Sequence, residues 1–250
     1  RHDAGFRLPP LMTARDAGAD GRPAGRLWVV ATPLGNLGDI TARAREAIAE
    51  CDLVACEDTR VTGGLLRHLD ISKPMLAYHE HNEKDAAVLI ADKVAGGARI
   101  ALITDAGTPG ISDPGFRVTR ECRRRGLIVT PLPGPCAIVA LLSASGLPTN
   151  AFRFVGFLAP KSAARRRFLE GLKPADETIV LHESCHRIGD FLDEMLEILG
   201  PTRVVCVGRE LTKLHETIRT APLAELVPVL KSGSLKGEFT VAIAPADFVL

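Results

Sequence analysis

The chain has 250 residues, 46% of them hydrophobic and 24% charged, a globular balance with room for one large domain or two small ones. Its 31 basic and 30 acidic side chains leave a net charge of +1, which excludes nucleic-acid binding by a uniformly basic body. No run approaches the roughly 20 apolar residues that span a bilayer, so no membrane partner is expected.

Residues 1–26 mix Arg, Asp, Gly and Pro without an apolar core and read as a flexible extension, not a signal peptide or anchor. Strand-like apolar runs follow at 27–31, 53–56, 75–77, 99–104 and 127–131. Helical patterns lie between them at 41–50, 84–94 and 114–125; the first opens on Thr41, a capping residue, and the last on Pro114, which a first turn tolerates. This alternation predicts α/β layers around a largely parallel sheet. Near Leu147-Pro-Thr-Asn150 the style shifts. Strand candidates at 153–157, 178–182, 203–207 and 239–244, with helices at 163–172 and 187–199, predict a second sheet. The expected organisation is two α/β domains, 27–148 and 149–250, with a ligand cleft between them.

Cys51, Cys56, Cys122, Cys136, Cys185 and Cys206 show no CxxC pair or framework spacing, as expected of buried thiols in a reducing cytoplasm. Basic side chains cluster at Arg120, Arg123, Arg124 and Arg125, and at Lys161, Arg165, Arg166 and Arg167. Each cluster suits either a solvated helix face or a phosphate backbone.

Three loops follow predicted strands. Asp105-Ala-Gly-Thr-Pro-Gly-Ile-Ser-Asp-Pro-Gly115 succeeds the run at 99–104, Ala31-Thr-Pro-Leu-Gly-Asn-Leu-Gly-Asp-Ile-Thr41 the first strand, and Pro131-Leu-Pro-Gly-Pro-Cys-Ala137 the run at 127–131. Ligands of open α/β sheets bind beyond the carboxyl ends of strands, so these loops read as walls of a small-molecule site; tight turns that cap the next helix are the structural alternative. Neither GxGxxG nor GxxxxGK[ST] is present, which argues against a dinucleotide and against a P-loop nucleotide.

Other polar clusters follow strand ends: Glu57-Asp-Thr-Arg60, Tyr78-His-Glu-His-Asn-Glu83 and Arg209-Glu-Leu-Thr-Lys-Leu-His-Glu216. The last reads as an ion-paired helix start or a substrate grip. Lys231-Ser-Gly-Ser-Leu-Lys-Gly-Glu238 reads as a loop with a possible phosphate contact. His182-Glu-Ser-Cys-His186 matches HExxH, but zinc chemistry needs both histidines on one helix face, and this stretch continues a strand-like run. No metal is expected.

Taken in order, the loops at 31–41 and 105–115, Glu57-Asp-Thr-Arg60, His79-Glu-His-Asn82, Pro133-Gly-Pro135 and Arg209-Glu-Leu-Thr-Lys213 resemble the tetrapyrrole (corrin/porphyrin) methylase superfamily. Within it they resemble the enzymes that methylate cytidine 2′-oxygens of small-subunit ribosomal RNA. The resemblance covers about residues 27–244; it implies S-adenosylmethionine as methyl donor, folded in the cleft between two α/β domains, and a cytoplasmic homodimer. Carried over residue by residue, donor contacts would come from Pro33, Asp105, Ala106, Gly107, Thr108, Ile111, Ser112, Cys136, Ala137, Phe157 and Leu181. His182 departs from the family, which carries an aromatic residue before Glu-Ser.

A ribose 2′-hydroxyl is a poor nucleophile while protonated, so alignment and a route for the proton are both required. Asp105, Glu57, Glu210, Lys213 and His79 are the candidate groups, with Asp105 expected at the donor and Glu210 and Lys213 at the acceptor. Arg60, Arg165, Arg166, Arg167 and Lys213 are the expected RNA contacts. A tetrapyrrole C-methyltransferase of the same fold and a non-catalytic RNA- or nucleotide-binding module are the alternatives.

Overall fold

The computed structural model describes residues 24–250; apart from residues 24–26, the expected N-terminal extension lies outside them. The chain forms two compact units. The first contains the described residues 24–33 and Leu37–Pro135. Its strands are β1 (Arg26–Val30), β2 (Leu53–Cys56), β3 (Met75–Ala77), β4 (Arg99–Ile103) and β5 (Ile128–Leu132). They lie in the order β3-β2-β4-β1-β5, every pairing parallel. Strands of this sheet are apolar at successive residues because both faces are covered. The pleat sends Leu27, Ala55, Ile100 and Leu102 to one face, and Trp28, Val30, Val54, Ala101 and Ile103 to the other.

Helices α3 (Glu83–Ala95) and α4 (Phe116–Arg124) cover the first face, and α1 (Ala42–Glu50) and α2 (Thr59–His68) the second. Thr41 caps α1 as expected, its side chain accepting from the Ala44 N–H. The α4 helix starts at Phe116, two residues later than Pro114, because Gly115 stands at φ 151°. A β-carbon there would meet the Gly110 nitrogen at 2.7 Å. The β1 connection leaves toward β2, whereas the β4 connection crosses β1 to reach β5. The carboxyl ends of β1 and β4 therefore form the topological switch point of this sheet, the place where open α/β sheets take ligands.

The second unit comprises Leu34–Asn36 and Cys136–Leu250. Strands β6 (Phe152–Phe157), β7 (Thr178–Ser184), β8 (Val204–Arg209), β9 (Thr217–Pro222) and β10 (Glu238–Ile243) run in the order β6-β7-β10-β8-β9. The β6/β7 pairing is parallel and the other three are antiparallel. Helices α6 (Ser162–Gly171), α7 (Ile188–Leu199) and α8 (Leu223–Lys231) cover one face. The other face is covered by α5 (Ala137–Ser145), whose Ile138, Leu141 and Leu142 pack on Val180, Val204 and Cys206. That packing draws α5 into the second unit, so the compact units divide before Cys136 and not near residue 148.

The structure bears on several sequence expectations. The stretch 209–216 is not a helix start: β8 runs on to Arg209 and a tight turn follows, with Glu210 at φ 53° and Thr212 at φ 67°. The HExxH stretch begins inside β7, so His182 and His186 do not share a helix face. Among the described residues no group of three or more His, Cys, Asp or Glu side chains could hold a metal ion. No described helix is long and apolar enough to cross a membrane. The arginines at 120–125 are largely engaged within the fold. Arg124 and Arg125 pair with Glu121, Arg125 also bonds Asp92, Arg123 donates to the Val129 carbonyl and Arg120 stacks on Phe116.

Candidate active site

In the first unit, three loops are fastened together at the switch point. Thr32 and Gly107 form an antiparallel bridge, exchanging N–H···O bonds of 2.9 and 3.0 Å. The Thr32 hydroxyl donates to the Thr104 carbonyl at 3.1 Å, and the Thr108 hydroxyl to the Pro135 carbonyl at 3.0 Å. A β-carbon on Gly134 would lie 2.9 Å from that of Ala31, so the β5 loop lies directly against the end of β1. Gly107, at φ 79°, adopts a backbone region that favours glycine. Such fastening holds backbone groups in place before a ligand arrives and lowers the ordering cost of binding. Pro33, Asp105, Ala106, Gly107, Thr108, Ile111 and Ser112 belong to this cradle. Asp105 and Ser112 are exposed, Ile111 is 42% exposed, and Pro33 and Gly107 are buried, so Pro33 acts as backing.

A second layer ties in the loop after β2. The Asp58 N–H donates to Asp105 Oδ1 at 3.1 Å, and the Asp105 N–H to Glu57 Oε2 at 3.4 Å. Partial desolvation by the loops around it raises the otherwise exposed Asp105 carboxyl above its ordinary value, and the Asp58 charge adds to this against the Asp58 N–H and Arg60. Glu57 is raised too, by burial first and then by the Asp105, Glu80 and Asp58 charges, against the Asp105 N–H. Asp58 is held down at about 2 by Arg60, whose guanidinium lies 2.6 Å away and whose side chain is 89% exposed.

His79-Glu-His-Asn82 is a helix start. The Asn82 side chain accepts from the His79 N–H and donates to the Ala77 carbonyl. Tyr78, buried, donates to Glu83 and accepts from the Val118 N–H, which fastens α4 to α3.

In the second unit, Lys213 is the focus. Its ammonium lies 3.1 Å from Glu210 Oε1 and 3.0 Å from Glu238 Oε2. Burial works to lower its pKa, but hydrogen bonds and charge from Glu238 and Glu210 outweigh this and hold it above an ordinary lysine. Glu210 Oε1 also accepts from the Glu238 N–H at 2.9 Å, and that bond and Lys213 hold Glu210 below its ordinary value against burial. Gly35 and Gly237 leave room for this arrangement. A β-carbon on Gly35 would strike the Lys213 stem at 2.4 Å, and one on Gly237 would meet Glu210 Oε1 at 2.5 Å. Sequence reading named Lys213 and Glu210 as a pair; it placed Gly35 in the 31–41 loop and Gly237 and Glu238 in the 231–238 loop without joining them to the lysine, because they are separated from it along the chain.

Three expected contacts are revised. Leu181 is fully buried on the α6–α8 face of its sheet, so its side chain is core and cannot reach a ligand. Arg165 is also buried, paired with Glu194 through two 2.9 Å bonds and donating to the Pro160 carbonyl at 2.7 Å. A buried guanidinium with these partners cannot meet a phosphate. Arg166 pairs with Glu197, and of the three arginines only Arg167 is exposed. Cys136 and Ala137 stand at the start of α5, and Phe157 is 55% exposed at the end of β6. His182 packs its ring against Phe154 and Phe157, centroids 5.1 and 5.5 Å apart.

A parallel five-stranded unit with a fastened switch-point cradle, followed by a mixed five-stranded unit, defines a two-domain tetrapyrrole methylase fold. Residues 26–227 match the family described as Tetrapyrrole (Corrin/Porphyrin) Methylases, and the chain belongs to that family. The solved structures of the methyltransferase CobJ and of uroporphyrin-III-C-methyltransferase from Thermus thermophilus share the fold, with TM-scores of 0.65 and 0.61. Each aligns over 89% of this chain and 95% of its own, at 18% and 20% identity respectively, a likeness of fold alone. Much higher identity joins the chain to proteins named Ribosomal RNA small subunit methyltransferase I. The Vibrio cholerae protein is 50% identical over 86% of this chain and 74% of its own length. The Escherichia coli O157:H7 protein is 46% identical over 88% and 77%, and that of Pseudomonas aeruginosa 45% over 88% and 79%.

Proposed function

We propose that this protein transfers a methyl group from S-adenosylmethionine to the ribose 2′-hydroxyl of a cytidine in small-subunit ribosomal RNA. The observation that carries this is the kinship: identities of 45–50% over most of the chain with relatives named for small-subunit ribosomal RNA methylation. The cradle fits the donor. Its rigid backbone edges and exposed Asp105 suit hydroxyl and ammonium groups, and the exposed Ile111 can cover an aromatic ring. When bound, S-adenosylmethionine supplies an electrophilic methyl carbon on a sulfonium.

The protein's own part is to hold and align, which is worth on the order of 7–11 kcal/mol in the best oriented cases, and to manage the acceptor's proton. Lys213, held charged, cannot take that proton. It offers positive charge to an RNA acceptor, and Glu210 is the residue that positions it. Asp105, its carboxyl raised above its ordinary value and Glu57 raised beside it, is assigned the proton. Arg60 and Arg167 supply exposed positive charge for phosphates. Pro33, Ala106, Gly107, Thr108, Ser112, Cys136, Ala137 and Phe157 are assigned to the donor. The protein acts in the cytoplasm as a homodimer, a state that sedimentation checks directly.

The decisive assay presents labelled donor to unmethylated small ribosomal subunits and to naked RNA. Label in RNA at a cytidine whose 3′ phosphodiester becomes resistant to alkali is the expected result, because alkaline cleavage needs a free 2′-hydroxyl. Label on a base, or none, rejects the proposal.

A further inference from the structure

Beyond Lys213, the second unit carries a groove of about 560 Å³ lined by Arg209, Leu214, His215, Glu216, Thr217 and Ser234. One wall is the turn joining β8 to β9, and the other is the loop joining α8 to β10. Both walls are anchored. Glu216 accepts from the Thr212 N–H, and Leu235 packs into the core beneath the opposite loop.

Arg209 joins the walls. Its Nε donates to the Lys236 carbonyl at 2.6 Å, Nη2 to the Ser234 hydroxyl at 3.3 Å and Nη1 to the His215 carbonyl at 3.4 Å. These bonds use the donor edges through which a guanidinium grips phosphate. Arg209 therefore lines the groove with a guanidinium held in one orientation, and a fixed guanidinium plane is a surface on which a nucleobase stacks. Leu214, 93% exposed, adds an apolar edge, while Ser234, Thr217 and His215 add hydrogen-bonding groups.

We infer that this groove takes one unstacked base of the acceptor RNA, a nucleotide flanking the methylated one, held in a single-stranded conformation. The inference rests on the ribosomal RNA reading above. It deepens that reading by placing a nucleotide subsite on the turn that also bears Lys213.

The test uses the whole protein with Leu214→Ser, which removes an exposed side chain, and Ser234→Phe, which fills the groove from an exposed position. KM for unmethylated small subunits should rise about tenfold in each, the effect of weakening the hold on one base, with kcat and donor affinity held. Unchanged KM in both variants overturns the subsite while wild-type methyl transfer leaves the proposed function standing. If the wild type methylates no RNA, fluorescence anisotropy with a single-stranded oligoribonucleotide and the duplex of the same sequence decides. Preference for the single strand, lost in both variants, supports the subsite; equal binding of single strand and duplex, or binding untouched by the substitutions, rejects it.

Discussion

Arg165→Met separates a structural arginine from an RNA-binding one. Arg165 and Glu194 have side chains only 4% and 8% exposed and meet through two bonds of 2.9 Å. Burial raises the Glu194 carboxyl, but hydrogen bonds from Arg165 and Ser162, with the Arg165 and Arg166 charges, outweigh this and hold it below its ordinary value. Methionine keeps the volume and removes the charge, leaving a buried carboxylate without its partner. The cost is about 3–5 kcal/mol, or about 6–20 °C in melting midpoint for a chain of this size. Glu194 has the depressed folded pKa, so the wild-type pair's contribution is present above the unfolded glutamate pKa and is lost as pH falls through the lower folded one. In the variant Glu194 can fold protonated, so the gap between wild type and variant should close on acidification. Arg165→Met with Glu194→Met should recover most of the loss at neutral pH, because two apolar side chains leave no buried charge. Urea titrations at pH 7 and pH 4 measure this, and the salt dependence of RNA affinity measures the alternative. An unshifted midpoint at neutral pH, together with a salt slope reduced by about one, would refute the structural assignment and return Arg165 to the RNA contacts.

Lys213→Ala should lower kcat/KM for methyl transfer by about 10- to 100-fold, the loss of one charge-assisted contact, with donor binding by calorimetry unchanged; unchanged turnover removes Lys213 from the mechanism. Donor affinity should fall as pH drops through the Asp105 pKa, which stands above the ordinary aspartate value because of burial and the Asp58 charge; Asp105→Asn should flatten that profile, and the same profile in both proteins would exclude Asp105. Tyr78→Phe leaves the Val118 N–H without its acceptor and removes one of the donors to Glu83, which keeps its bond from Arg117, at a cost of about 1–3 kcal/mol in urea unfolding. Gly237→Ala, with φ 103° and its β-carbon 2.5 Å from Glu210 Oε1, should lower methyl transfer much as Lys213→Ala does; full activity would show that Glu210 does not position the lysine.

Local sequence determined the strands and helices wherever pattern and capping agreed. The apolar runs of β1, β2 and β4 show through because both faces of a parallel sheet are buried, and Thr41 marks the start of α1 because its hydroxyl satisfies a helix N–H. Helices α2, α5 and α8 were not distinguished. In α5 the residues are apolar on nearly every side, and Ala137–Ser145 has no side-chain cap, so nothing local told which sheet it would cover. The loops at 31–41, 105–115 and 133–135 were legible as a site because their glycines and prolines follow strand ends. That they are one site depends on the Thr32–Gly107 bridge and the Thr108–Pro135 bond, contacts created by strand order, which no linear spacing encodes. Charge was the least legible feature. Arg165, Arg166 and Arg167 are neighbours in sequence, yet folding buries the first against Glu194, pairs the second with Glu197 and leaves the third exposed. Sequence specifies which side chains carry charge; only tertiary packing decides which charges solvent and RNA can reach, because the energy of an ion depends on the dielectric and partners around it.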